Sequence, residues 1–238
     1  MAKAKLEFKS KINEIDGMTL VWVPSGSFMM GAPVADSLAA RNEKPQVKVE
    51  ISKGFWICNT PVTQEALAKI LGANLIRSTM KGDKHPATDI SLTEIFAYCD
   101  KVRGRLPTEA EWEWAARAGS EEHRPAKPKD FGWYNKNAKG ELQAVAQKKP
   151  NAWGLYDVMG NVCEMTSTPW SFELVGGKDP GLGDKSIEIQ RTIRSGSFAN
   201  AENMMSATAR SGHISQNKIP EKPFQVQNTH GFRYVLPE

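Results

Sequence analysis

Cysteine is scarce in this chain: 238 residues hold three, Cys58, Cys99 and Cys163, and none follows Cys163. An odd count with no close pairing pattern argues against a disulfide framework. The four histidines, His85, His123, His213 and His230, show no metal-ligand spacing such as H-x-x-x-H. No apolar run is long enough to span a bilayer, and the opening MAKAKLEFKSKINEIDG lacks the apolar stretch of a signal peptide. The expectation is therefore a cytoplasmic location by default, with a virion or a surface left open as the final place. A concentrated basic stripe is also missing. The 31 Lys and Arg against 27 Asp and Glu leave a net charge of only +4, and the lysines scatter over a tail and loops. Nucleic acid is not an expected partner. No internal repeat and no linker-like run divide the sequence, so it reads as an arm, residues 1–16, followed by one domain, residues 17–238.

The sequence is rich in turn formers. Nineteen Gly and 14 Pro fit a loop-rich fold, while 40% hydrophobic content with seven Trp suffices for a core. Met18 to Val23 and Ser27 to Met30 read as a hairpin around Pro24-Ser25-Gly26, and Gln46 to Ile57 as a strand. Thr63 to Leu71 reads as a helix with Thr63 as N-cap, and Thr93 to Val102 as a second with Cys99 facing inward. In RLPTEAEWEWAARAG, Arg105 to Gly119, Thr108 and Glu111 form a capping box, and Gly119 suits the left-handed position that ends a helix. Trp112, Ala115 and Ala116 share one face of it. RTIRSGSF, Arg191 to Phe198, and HGFRYVLPE, His230 to Glu238, read as two strands. The segment NAWGLYDVMGNVCEMTSTPW, Asn151 to Trp170, is neither helix nor strand in pattern. It reads as a tightly specified irregular wall.

These blocks, in this order, resemble the formylglycine-generating enzyme family, also called the sulfatase-modifying-factor family. The opening MTLVWVPSGSFMMG and FWICNTPVTQEAL resemble it as well, so the likeness runs from about residue 17 to the end. It implies an α+β, C-type-lectin-like fold: a small twisted antiparallel sheet, two or three helices and much irregular loop.

The family's oxidase is expected to work through a pair of C-terminal cysteines that bind copper. Here the corresponding stretch, GSFANAENMMSATARSGH, carries Asn200, Met204 and Met205 instead. Thiolates that would hold copper(I) are missing, and adjacent methionines are more often hydrophobic filler. A second branch of the family uses iron held by histidines of a separate preceding domain, which this chain does not match. No redox metal is expected. Cys58 and Cys99 read as buried small hydrophobes. Cys163 stands where the family usually has a bulky aromatic and is expected to line a partly open space. It would act as a nucleophile only with a neighbour that lowers its pKa. Calcium as a structural ion is the one metal left open. Asn161 and Glu164 match the family's motif positions for it, and Asn135 is a vaguer candidate. The alternative is that Asn161 and Glu164 satisfy loop backbone groups.

With that apparatus missing, the C-terminal third becomes the expected binding surface for a protein or glycan ligand. Candidate contacts are Trp170, Phe198, Asn200, Glu202, Asn203, Met204, Ser206, Thr208, Arg210 and His213, with Ser215, Gln216, Asn217, Phe172 and Phe224 nearby. The layout is similar to the variable proteins of diversity-generating retroelements, whose diversified residues lie in this stretch. An ordinary solvated loop is the bland alternative. Two functions stand: a non-catalytic binding module, or an oxidoreductase of the family working through Cys163, His213 or the Met204–Met205 pair. The oligomeric state is left open.

Overall fold

The computed structural model describes residues 9–181, 190–213 and 229–238. Eleven strands are found among them: β1 Ser10–Ile12, β2 Thr19–Val23, β3 Gly26–Met30, β4 Val47–Ile51, β5 Phe55–Cys58, β6 Cys163–Pro169, β7 Gly177–Lys178, β8 Arg191–Arg194, β9 Arg210–His213, β10 His230–Phe232 and β11 Val235–Pro237. The helices are α1 Gln64–Leu71, α2 Leu92–Lys101, α3 Glu109–Arg117 and the single turn α4 Pro128–Phe131. The strands form three small sheets, ordered β1-β2-β5-β11, β10-β6-β8-β9 and β3-β4-β7.

The central strands of the first sheet, β2 and β5, are packed on both faces, which explains why they read as almost continuous apolar runs. Val21, Val23, Phe55, Ile57 and Val235 point into one core, shared with α3. Leu20, Trp56, Cys58 and Leu236, their alternate neighbours, point into the other, shared with α1 and α2. The arm enters this sheet as an edge: β1 pairs antiparallel with β2.

Helix ends follow their sequence signals. Thr63 Oγ1 accepts from Ala66 N at 3.2 Å at the start of α1. A capping box at Ser91 and Glu94 opens α2. In α3 the Thr108–Glu111 box closes at 3.1 and 2.8 Å, and Arg105 clamps Glu111 with two bonds of 2.6 Å. The left-handed turn at its end takes both Ala118 and Gly119.

Four expectations need correction. Asn151 to Trp170 is not irregular throughout, because Cys163–Pro169 is strand β6, held between β10 and β8. The residues either side of Pro24-Ser25-Gly26 do not form a hairpin: β2 pairs with β5 and β3 with β4, because the chain turns out of one sheet into another. The stretch Gln46 to Ile57 is two strands in different sheets, broken at Ser52 to Gly54. HGFRYVLPE is likewise two, since Arg233 and Tyr234 carry the chain from β10, parallel to β6, to β11, antiparallel to β5.

Candidate functional site

α3 is the pivot of the C-terminal half. All nine of its residues are buried, although four are charged. The charges meet partners from the strands beside them. Arg194 on β8 donates to Glu109 at 2.7 Å and to Glu113, and Arg210 on β9 donates to both oxygens of Glu109 at 2.6 and 3.0 Å. Glu113 also receives Arg117 at 2.9 Å and the backbone N–H of Gly31 at 2.8 Å. Burial acts to raise the Glu109 carboxyl pKa, but the guanidinium groups of Arg194 and Arg210 outweigh it and hold it lowered. This ionic core sets the height and angle of β8 and β9, and so of the loop between them.

That loop holds most of the residues expected to face a ligand, and its placement divides them. Phe198 is buried with Ala138, Leu142 and Val162. Ser206 and Thr208 are wholly buried: their hydroxyls bond at 2.8 Å and Thr208 continues to Glu43. Arg210 is locked to Glu109 as above. These four cannot present themselves to a partner, so their expected role is corrected. Each polar group here is matched by an interior partner, something composition alone does not reveal.

The remainder form a short outward turn. Asn203 is exposed, with Asn200, Glu202 and Met204 half-buried. Asn200 Oδ1 accepts from the backbone and the hydroxyl of Ser197, both at 2.8 Å, which fixes the turn. Glu202 meets Lys136 at 2.7 Å. From beneath, Arg124 donates to Asn203 O, and Ala207 N donates to His123 O at 2.8 Å. Trp170 is half-buried, with the Arg210 guanidinium 4.7 Å from its ring, and Phe172 beyond it is 60% exposed. His213 ends β9, but its side chain lies outside the described residues, as do Ser215, Gln216, Asn217 and Phe224.

Cys163 lies under this turn. It is buried, with Sγ 3.9 Å from Asn200 Oδ1, and not beside an open space as expected. Burial pushes its thiol up to about 12, so it is neutral near pH 7. Cys58 and Cys99 are buried, as the apolar patterns around them predict. Met205 fills the core against Gly132 and Gly160. Gly160 has φ +94°, and a Cβ there would sit 2.3 Å from Trp133 O.

The two residues expected to hold calcium are occupied by protein. Glu164 is wholly buried, receiving Arg233 through both oxygens at 2.6 Å and the Trp112 indole at 2.7 Å. Asn161 exchanges two bonds with the backbone of Gln143, at 3.1 and 3.0 Å. Glu164 already has its counter-charge, so these side chains do not fit a cation. Asn135 is exposed. Among the described residues, no group of three or more His, Cys, Asp or Glu is placed to hold a metal ion. The Glu109–Glu113 network went unforeseen. Its one visible signal was a helix, EAEWEWAAR, with too many charges for a segment that carries two tryptophans.

The sheets, the helix α3 and the irregular wall that follows it define a C-type-lectin-like fold of the α+β class. A PvdO structure from Pseudomonas aeruginosa superposes over all of both chains, with a TM-score of 0.81 at 21% identity. Treponema denticola variable protein 1 superposes over 97% of this chain and 99% of its own, with a TM-score of 0.78 at 22% identity. The family profile described as "Sulfatase-modifying factor enzyme 1-like domain" matches residues 5–237, and the chain belongs to that family. Formylglycine-generating enzyme of Mus musculus is 33% identical over 117 residues, 40% of this chain and 30% of that one. The mouse protein "Inactive C-alpha-formylglycine-generating enzyme 2" is 36% identical over 100 residues, 36% of this chain and 32% of that one. The matches thus span about a third of these relatives' lengths. No helix among the described residues is long and apolar enough to cross a membrane.

Proposed function

We propose that this protein is a non-catalytic ligand-binding member of the family, which presents the turn at residues 199–204, together with Trp170 and Phe172 beside Arg210, to a protein or glycan. The observation that carries this reading is the state of Cys163. It is the last cysteine of the chain, and it is buried and neutral, with its Sγ 3.9 Å from Asn200 Oδ1. An oxidase of this family would need an available thiolate near the same turn, and none of the three thiols answers. The rigid ionic core below and the small, hydrogen-bonding residues above are the combination a recognition surface uses. A family member named as inactive supports the idea that the fold persists without turnover.

The likeness in fold to a variable protein supports a narrower version, in which the turn is diversified by a retroelement. A near-copy of the final coding segment beside a reverse transcriptase gene would establish it.

The reading is tested by oxygen consumption and elemental analysis of the purified protein, in the presence of a cysteine-containing peptide. No oxygen uptake and no stoichiometric copper or iron are expected. Turnover that disappears in Cys163→Ser would overturn the proposal in favour of an oxidoreductase.

A further inference from the structure

Three of the six sheet edges among the described residues are blunted. β1 is three residues long and carries Lys11, β11 ends at Pro237, and β7 is a two-residue strand carrying Lys178. Short length, charge and proline are the devices that keep an edge from pairing with another chain. β3 has none of them. Among the described residues it is an edge strand of the β3-β4-β7 sheet, five residues long, and its sequence GSFMM holds neither charge nor proline. Its pairing with β4 runs in continuous register without a bulge.

Beside β3 lies a cleft of about 720 Å³. Ser27, Phe28 and Met29 line it in succession. Side chains alternate across a strand, so three consecutive residues share one cleft where the backbone edge faces it. The Phe28 and Trp114 rings, 5.3 Å apart, make the inner wall apolar, and Met29 at the mouth is 47% exposed. Opposite stand Glu121 and Glu122, exposed and in no ion pair among the described residues. Lys48 and Arg117 also line the cleft, but Arg117 is already paired with Glu113 at 2.9 Å, so among the described residues the two carboxylates of the lip face one uncommitted ammonium. His123 does not alter the balance, because its imidazole is engaged with Asp36 at 2.8 Å. Gln46 closes the far end by donating to Met29 O and Gly31 O.

We propose that this edge is a docking site for an extended segment of a partner protein, alternating apolar and basic residues, which adds to the sheet as a strand beside β3. Main-chain bonds to the edge would supply affinity. The Phe28–Trp114 wall and the Glu121–Glu122 lip would select side chains. The site is separate from the turn at 199–204 and does not depend on its role, although the peptide chain from Glu121 to Arg124 borders both.

The test uses a fluorescein-labelled peptide of alternating valine and lysine, titrated against the whole protein and followed by anisotropy. Binding is expected, and it should weaken about tenfold or more in the Glu121→Lys, Glu122→Lys double variant, checked for an unchanged thermal melt. The same peptide N-methylated at alternate residues keeps its charge but cannot complete a ladder, and it should fail to bind. Equal binding of the methylated peptide, undiminished binding to the charge-reversed variant, or no binding at millimolar concentration each overturns the proposal. Asn203→Ala should leave peptide binding unchanged. Loss there would place the peptide on the turn instead, which also refutes docking at β3.

Discussion

Arg233 and Glu164 face each other with both side chains wholly out of solvent, joined by two bonds of 2.6 Å. The other guanidinium contacts reach Cys58 O at 2.9 Å and Tyr156 O at 3.1 Å, so one residue ties β5, β6 and the irregular wall together. Removing one member of such a pair leaves a buried charge without its counterpart, a loss of about 3–5 kcal/mol. Glu164→Gln and Arg233→Met are each expected to lower stability by that order in urea unfolding. The double variant should lose less than the two singles together, because no orphaned charge is left. Additive losses would show that the pair is not coupled.

Asp157 provides a pH signature. It is buried in the wall, its Oδ2 accepts from Ala146 N at 2.7 Å, and its Oδ1 has no partner among the described residues. Burial pushes its carboxyl up to about 6 from the ordinary 3.8. The folded protein thus holds this proton to higher pH than the unfolded chain does. The contribution to stability is full below about pH 4 and is lost as pH rises toward 6, a fall of about 3 kcal/mol by neutral pH. Asp157→Asn keeps the acceptor for Ala146 and cannot ionise. Its stability relative to the natural protein should rise by that order between pH 4 and pH 7, measured by urea unfolding at both. A difference that stays flat with pH would mean that Asp157 is solvated or paired.

Much of the scaffold was legible because its signals are local. Thr63, Thr108 and Glu111 announce helix starts through bonds to residues three positions away, and they form as expected. Cys58 and Cys99 sit in apolar patterns and are buried. Pairing between strands is not local. Nothing near Pro24-Ser25-Gly26 encodes that β2 must pair with β5, so a good turn sequence there does not specify a hairpin. The site failed for a related reason. Ser206, Thr208 and Arg210 look like surface residues until their partners, Glu43 and Glu109, arrive from far along the chain. Asn161 and Glu164 show the same thing, since Gln143 and Arg233 take up the groups that a cation would need.

Calcium is therefore expected to have little effect through those two residues. Thermal melting with excess calcium and with a chelator should give the same midpoint within about a degree, since a ligand stabilises only as far as it prefers the folded state. A clear rise that survives in Asn161→Ala would place the ion elsewhere, with exposed Asn135 the first position to substitute. A rise abolished by that substitution would restore Asn161 as a ligand.

Cys163 should resist alkylation by iodoacetamide at pH 8 in the folded protein and react once urea is added. A buried neutral thiol is neither nucleophilic nor accessible. Rapid labelling of the native state, located at Cys163 by mass spectrometry, would contradict the burial. It would also reopen the oxidoreductase reading.

Asn203 and Arg210 separate recognition from scaffold, although both belong to the same polar stretch. Asn203 is exposed on the outward turn, and its backbone oxygen accepts from Arg124. Asn203→Ala should leave the melting temperature within about a degree, as surface substitutions usually do. If the turn is the recognition surface, ligand binding should fall. Arg210 is 4% exposed and bonds both oxygens of Glu109, together with Asn42 O and Phe172 O. Arg210→Ala leaves Glu109 with Arg194 as its one remaining guanidinium partner among the described residues and opens the packing under Trp170. Its loss should appear first as a destabilisation of about 3 kcal/mol or more, with any fall in binding following from that. The pair is best read by measuring melting and ligand affinity on the same samples. Equal destabilisation by both substitutions would mean that residues 199–204 are part of the structural core, leaving only Trp170 and Phe172 as candidate contacts among the described residues.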